Sequence, residues 1–293
     1  MSTAITVVIV NYNAGDYLIH CVGSVLTTTL PLEVWVVDNA SSDQSLALLK
    51  AHFSQEPRLH ILENPKNLGF SRANNQVISQ THSEYILLLN PDCSIPGPEV
   101  LSQMKAAMDA HPTAAMGGCL VHNRDGSIQP TCIRTAPTPW NSLVRVLHLH
   151  KILGNFKLFK GLDTATTSLP RETVPVEFTS GAFMFVRKTA IDEIGLMDEN
   201  YFLYCEDTDW MLRFRQAGWQ ILFVAGVEIT HAKGISSYKT PLQVLWYKHQ
   251  SMWYFYCKFY AQHSPWILKG LVYGGIWLRF GLLWIVTLFR STI

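Results

Sequence analysis

Residues 232–293 of this 293-residue chain contain no aspartate and no glutamate, although they hold seven lysines and arginines. The preceding 231 residues carry sixteen basic and twenty-two acidic side chains, so a formal net charge of +1 conceals an acidic body and a basic tail. Other absences exclude chemistries. No G-x-G-x-x-G follows the first apolar run and no G-x-x-x-x-G-K-[ST] occurs anywhere, which argues against a dinucleotide-dependent dehydrogenase and against a P-loop kinase or ATPase. The six cysteines form no C-x-x-C pair, and no His/Cys cluster has metal-ligand spacing, so reduced thiols in a cytosolic protein are expected. The amino terminus lacks a positive n-region, and its apolar run at 5–10 is too short for a signal peptide.

What the tail does contain is aromatic and apolar: five of the nine tryptophans and six of the eleven tyrosines. An acidic body with such a tail suggests a soluble domain held at a membrane surface. Nucleic acid is the rival partner for a basic aromatic segment, but this one is too apolar, and no nucleic-acid partner is expected.

The length suits one large α/β domain with an appendage. Strand-like runs at 5–10, 33–37, 58–62 and 85–89 alternate with helical spacing at 16–27, 44–52, 69–79 and 98–111. That alternation predicts a mainly parallel sheet with helices on both faces. Residues 123–175, with five prolines and an amphipathic piece at 141–159, break the rhythm and read as a variable insertion over the sheet edge, a common carrier of binding specificity. Order returns at 176–186, followed by helices at 188–194 and 207–216 and strands at 221–224 and 227–230. From Pro241 the chain reads as helix, split by Pro265. The expected domains are 1–235 and a helical tail, 236–293.

The first strands end in polar residues: Asn11-Tyr12-Asn13, Asp38-Asn39 and Asn90-Pro91-Asp92. Open parallel sheets bind ligands at the carboxyl ends of their strands. Each of these segments alone is also ordinary turn chemistry; three together favour a site. A rim carboxylate facing a diphosphate needs a divalent cation between them, and Mg²⁺ or Mn²⁺ bridges carboxylate and phosphate oxygens. Asp92 is placed for that role, whereas Asp38 could accept from a nucleobase N–H. The densest acidic cluster, Glu206-Asp207-Thr208-Asp209, opens a predicted helix, where acids also serve as caps. Mutual repulsion there raises a pKa and poises a carboxylate to take a proton from a hydroxyl. His231, after a strand, is open to a structural or a metal-binding reading. His148 and His150 do not face together on a helix and read as structural.

In this order the motifs resemble the family 2 glycosyltransferases, specifically the rhamnosyltransferase-like branch with a GT-A fold. The matching pieces are Val8-Ile-Val-Asn-Tyr-Asn13, Val36-Val-Asp-Asn-Ala-Ser-Ser-Asp43, Asn67-Leu-Gly-Phe-Ser-Arg-Ala-Asn-Asn75, Leu88-Leu-Asn-Pro-Asp92, Ser180-Gly-Ala-Phe-Met184 and Tyr204-Cys-Glu-Asp-Thr-Asp209. The resemblance implies an inverting transfer of a sugar, rhamnose by branch, from a nucleoside diphosphate to a hydroxyl of a glycan or lipid-linked acceptor in cell-wall or polysaccharide biosynthesis. It implies Asp207 as catalytic base, with Glu206 and Asp209 as acidic support. It makes Asp92 the last acid of a D-x-D motif whose first position is here Asn90, and His231 a late metal or diphosphate contact. Asn11, Asn13, Asp38, Arg72, Asn75 and Gly181 fall in donor-binding segments. Two other readings stay open. A nucleotidyltransferase would carry a glycine-rich loop after strand one, which 11–15 does not supply. A non-catalytic sugar-nucleotide-binding protein has only Asn90 in its favour.

Residues 270–289 are long enough, at about 30 Å of helix, to cross a bilayer. A central Arg279 costs roughly 2.5–3.5 kcal/mol, against roughly 3–6 returned by eleven Leu, Ile, Val and Phe. Lys269, Arg279 and Arg290 lie within about 80° of one another on a helical wheel. Such a stripe favours an in-plane, monotopic anchor at the cytoplasmic face over a spanning helix. Packing on the catalytic domain, or on a second copy in a homo-oligomer, stays open as well.

Overall fold

The computed structural model describes residues 4–146, 169–232 and 241–290. His148, His150, most of the amphipathic piece at 141–159 and the segment after Ala232 lie outside the described residues.

The strands are β1 (Ile5–Asn11), β2 (Leu32–Asp38), β3 (Leu59–Glu63), β4 (Tyr85–Leu89), β5 (Cys93–Ser94), β6 (Ala114–His122), β7 (Ile133–Arg134), β8 (Val174–Val176), β9 (Phe178–Thr179), β10 (Phe183–Arg187) and β11 (Gln220–His231). The helices are α1 (Tyr17–Leu26), α2 (Ser45–His52), α3 (Phe70–Ile78), α4 (Val100–Asp109), α5 (Pro139–Val146), α6 (Lys188–Ile194), α7 (Glu206–Gln216), α8 (Pro241–Phe259) and α9 (Trp266–Arg290).

The main sheet runs β3-β2-β1-β4-β10-β6-β11-β5, with β8 also on β11. β10 is antiparallel to both β4 and β6, and β11 is parallel to β6, so β1–β4, β6 and β11 all point one way. This is a mixed GT-A-type sheet whose parallel strands open onto a single rim. Alternation along β1 explains the two-sided burial: Ile5, Val7 and Ile9 join α1, α4 and Leu49 of α2 in one core, while Val8 and Val10 join α3, α6 and α7 in the other. All six cysteines are free, and Cys21, Cys93, Cys119 and Cys132 are buried.

Apart from β5, which the sequence pattern does not announce, the elements up to Asp109 fall within two residues of their sequence-based bounds. Two further differences bear on the site. β6 has no counterpart in the sequence pattern, because Gly117 and Gly118 interrupt its apolar character. Both glycines serve close approach: a Cβ at 117 would lie 2.7 Å from Met104 Sδ of α4, and one at 118 would lie 2.5 Å from Thr179 Cβ. The two strands expected at 221–224 and 227–230 are one strand, β11, with its register against β6 shifted between Phe223 and Glu228, where Gly226 adopts φ +83°.

Candidate functional site

The sheet brings Asn11, Asp38, Asn90, Asp92 and His231 to the same rim. The start of β10, with Ser180-Gly181-Ala182, reaches that rim from the opposite direction. Three neighbouring groups of side chains result.

The first joins the loops after β1 and β2. Asn11 Nδ2 donates to Asp38 Oδ1 (2.7 Å), and the Ser41 N–H donates to Asp38 Oδ2 (3.0 Å). Asn13, itself at φ +57°, accepts through Oδ1 from the N–H groups of Ser42 and Asp43 at 2.7 and 3.1 Å. Asn11 and Asn13 are thus engaged within the protein and hold a preformed pair of loops. Asp38, buried, retains acceptor capacity beyond those two bonds. In α3, the Asn75 amide donates to the Met197 carbonyl (2.9 Å) and accepts from the Met197 N–H (3.2 Å), while the half-exposed Arg72 lies 3.3 Å from Glu199. Both tie α3 to the segment preceding α7.

The second group is Asp92, His231 and Cys93, whose ligand atoms lie within 4.8 Å of one another. The two-residue ladder of β5 on β11 pairs Cys93 with His231. Gln129 Nε2 donates to the His231 carbonyl (3.0 Å), which turns Gln129 Oε1 toward His231 Nδ1 (3.2 Å). That acceptor keeps the proton on Nδ1 and leaves a lone pair on Nε2. Nε2 faces Asp92 Oδ1 at 3.1 Å, with the Asn90 amide nitrogen at 3.4 Å. Two acceptors pointed at each other need a cation or a proton between them. This donor set fits a hard or borderline divalent ion. The thiol of Cys93 fits it poorly, since burial, and next the Asp92 charge, push its pKa well above the usual value.

The third group surrounds Asp207, in the first turn of α7. Arg134 Nη2 donates to Asp207 Oδ2 (2.6 Å), and Arg134 Nε donates to the Thr179 carbonyl (2.9 Å). Asp207 Oδ1 accepts from the Thr208 N–H (2.7 Å). Gly181 packs against the same carboxylate: a Cβ there would lie 2.7 Å from Asp207 Oδ2. The Ala182 carbonyl accepts from the Asn90 N–H (3.0 Å), which makes this group continuous with the Asp92 group. Glu206 is buried with Oε2 unpartnered, and burial together with the Asp207 charge pushes its carboxyl up to about 8. Asp209 leaves the cluster. Fully buried, it turns to Arg213 (2.7 Å) and to Lys258 of α8 (2.6 Å), as expected two residues along a helix.

Arg134 and Gln129 carry no signal in the sequence. Both lie in the proline-rich stretch read as an insertion, where no periodicity marks them. The short β7–β9 ladder, which pairs Arg134 with Phe178, and the bonds of Gln129 to Val121 and His231 bring them to the rim.

Residues 6–195 match the model of glycosyl transferase family 2. The N-acetylglucosaminyl-diphospho-decaprenol L-rhamnosyltransferase of Mycobacterium tuberculosis (strain ATCC 25618 / H37Rv) is 30% identical over 280 residues, covering 91% of this chain and 87% of that one. Rhamnosyltransferase WbbL of Escherichia coli (strain K12) is 26% identical over 174 residues, covering 56% of this chain and 60% of that one. Among solved structures, mannosyltransferase PcManGT from Pyrobaculum calidifontis, in complex with GDP-Man and Mn²⁺, superposes with a TM-score of 0.60 at 15% identity over 95% of this chain and 70% of that one. GalNAc-T7 with UDP, GalNAc and Mn²⁺ gives 0.58 at 16% identity, over 78% of this chain and 44% of that one. These two likenesses speak to the fold alone. The family model and the full-length relative together establish that the chain belongs to glycosyl transferase family 2 and is a glycosyltransferase.

Proposed function

We propose that this glycosyltransferase moves a sugar, rhamnose as the first candidate, from a nucleoside diphosphate to a hydroxyl of a lipid-linked glycan, with inversion and with a divalent cation. The observation that carries this reading is the continuity of the Asp92–His231 pair and the Asp207 carboxylate on one rim. The names of the two relatives support the sugar, and that of the mycobacterial one supports the acceptor class.

In this scheme Asp207 takes the proton of the acceptor hydroxyl as that oxygen bonds to the anomeric carbon and the bond to the diphosphate breaks. Arg134 and the Thr208 N–H hold the carboxylate in place. Asp92 and His231 would hold Mg²⁺ or Mn²⁺, which neutralises charge on the departing diphosphate. Asp38 keeps acceptor capacity for a nucleobase N–H, while Asn11, Asn13, Arg72 and Asn75 frame the donor pocket, and the described part of the stretch 123–175, which brings Arg134 to Asp207, faces the acceptor side.

The tail supports an in-plane membrane anchor. Trp246 and His249 of α8 pack on Trp277 and Phe280 of α9, and Trp253 packs on Tyr273. The outward residues Leu271, Leu278, Leu282 and Phe289 are exposed and fall within about 40° of one another on the opposite face of α9. Arg279 reaches back to His249 Nε2 (2.8 Å). α8 carries the catalytic domain along its other side through Tyr247, Ser251, Tyr254 and Lys258. A spanning α9 would drag that charged domain to bilayer depth, whereas an α9 lying in the interface would not. A tail sequence with seven basic residues and no acidic ones favours the anionic cytoplasmic face.

The test is Asp207→Asn, which should bind sugar nucleotide in the presence of Mn²⁺ and fail to transfer it to lipid-linked acceptor. Full transfer by this variant would sink the base assignment.

A further inference from the structure

We propose that α8 belongs to the catalytic apparatus and that Lys258 is a positioning residue for Asp207, so that the anchored tail and the transfer step share one structural element. The proposal rests on the glycosyltransferase reading above.

The segment leading into α7 is strained. Tyr204 and Cys205 are consecutive non-glycine residues with left-handed backbone, φ +70° and +67°, immediately before Glu206 and Asp207. Side chains disfavour that region, and two in succession persist only where the surroundings impose them. On one side the segment is held by α3. The Phe202 carbonyl accepts from the Phe70 N–H (2.9 Å), and Gly69 supplies the room, since a Cβ there would lie 2.6 Å from that oxygen.

On the other side successive turns of α8 supply a row of contacts. Tyr247 stacks on Phe202, with ring centroids 4.1 Å apart. The Lys248 ammonium lies 5.2 Å from the centre of the Tyr204 ring. Ser251 Oγ donates to the Leu203 carbonyl (2.9 Å). Tyr254 packs edge-on against Tyr201 and donates to Asp198 Oδ2 (3.0 Å). Lys258 then closes the clamp, donating at 2.6 Å to Asp198 at the start of the segment and at 2.6 Å to Asp209 beyond its end. Asp209 is fully buried and shares the first turn of α7 with Asp207. A rigid turn cannot shift at Asp209 without carrying Asp207 with it. Lys258 therefore ties both ends of a strained segment to the helix that bears α9.

The test uses the full-length protein with vesicles containing phosphatidylglycerol. Lys258→Met should lower kcat by about 10²-fold while leaving donor affinity within about twofold, because a displacement on the ångström scale misplaces a reacting group without touching the donor. Lys258→Arg, which can still bridge two carboxylates, should restore most of the rate. Hydrogen exchange over residues 198–209 should accelerate in Lys258→Met and return in Lys258→Arg. A folded Lys258→Met protein with wild-type kcat and unchanged exchange overturns the proposal. If Lys258→Met does not fold, Ser251→Ala removes only the Leu203 hydrogen bond. It should raise exchange at 202–206 and lower kcat by about tenfold at constant donor affinity, and wild-type behaviour there overturns the proposal equally. Failure of the wild-type protein to transfer any sugar would count against the functional reading instead, while the exchange data still decide whether α8 holds the segment.

Discussion

Gly181 and Asp207 lie so close together that even a methyl group at 181 would have to displace the carboxylate. A Cβ at 181 would lie 2.7 Å from Asp207 Oδ2 and 3.0 Å from its Cβ. The obstacle includes the root of the side chain, so a rotamer change alone does not relieve it. Gly181→Ala should therefore push the carboxylate off Arg134 and lower kcat by about 10²-fold. Donor affinity, measured by sugar-nucleotide titration, should change far less. Equal losses in affinity and rate would mean that Gly181 acts on the donor rather than on the base.

Gln129 touches neither substrate nor ion in the proposed scheme, yet it sets the tautomer of His231. Gln129→Leu removes the acceptor on Nδ1 and the donor to the His231 carbonyl. Loss of such a supporting partner typically costs about 10–100-fold in metal affinity. Mn²⁺ titration followed by electron paramagnetic resonance should show a drop in that range, with all proposed ligands still present. Unchanged affinity would detach His231 from the metal site.

The parts of this site that are legible in the sequence share one property: they lie at the boundaries of regular elements. β-branched runs announce β1 and β2, and polar residues at their tips announce Asn11 and Asp38. Asp92, Asp207 and His231 are readable for the same reason, as polar residues directly after or before regular elements. Arg134 and Gln129 are not, because their partners, Thr179, Asp207 and His231, are distant in sequence and a two-residue ladder leaves no period to detect. β6 is hidden by the glycines that let α4 and β9 approach it. The bond from Lys258 to Asp209 is invisible for a different reason. Acidic residues in a first helical turn already have a sufficient local explanation in the helix dipole, and nothing local points Asp209 away from Asp207.

Glu206 should register in the stability of the protein. Its carboxyl titrates near 8 in the fold, against an ordinary value of 4.5, burial being the larger cause and the Asp207 charge the next. The folded chain therefore holds more protons than the unfolded chain across that interval, and stability falls as pH rises through it. Glu206→Gln removes the titration. The variant should melt higher than wild type at pH 8, by about 2–4 °C for each kcal/mol recovered, and the difference should vanish near pH 4. A wild-type melting temperature at pH 8 would place the raised pKa elsewhere.

The outward face of α9 makes a separate prediction. Burying one leucine side chain is worth about 1.5–3 kcal/mol, so Leu278→Asp should reduce partitioning onto anionic vesicles by about tenfold or more. Turnover of a water-soluble acceptor analogue should be preserved, because Leu278 points away from α8 and the catalytic domain. Flotation unaffected by Leu278→Asp, and equally by Leu282→Asp, would remove this face from the membrane.

His249 links the two tail helices through a proton that must stay off. Its Nδ1–H donates to the Leu245 carbonyl (2.7 Å), so Nε2 is the acceptor for Arg279 at 2.8 Å. Burial is the main force holding its pKa below 6.5, and the charges of Arg279 and Lys248 act in the same direction. Phe280, itself packed on Trp246, lies against His249 with an uncharged ring. For a base whose pKa is depressed in the fold, the unfolded state takes up protons first. The stability carried by this contact is complete above pH 6.5 and is lost as pH falls below that value toward the folded pKa. Hydrogen exchange across α8 and α9 should therefore increase as pH falls below 6.5 in the wild-type protein. His249→Phe cannot take up a proton, and its exchange, corrected for the intrinsic rate, should be flat over the same range. Equal acid sensitivity in the two proteins would assign the loosening to other groups, and Asp198, although it also meets α8, is not one of them. Asp198 is held down at about 2, chiefly by Lys258 and Asn200 against the opposing effect of burial, so its contribution would be lost only below about pH 4.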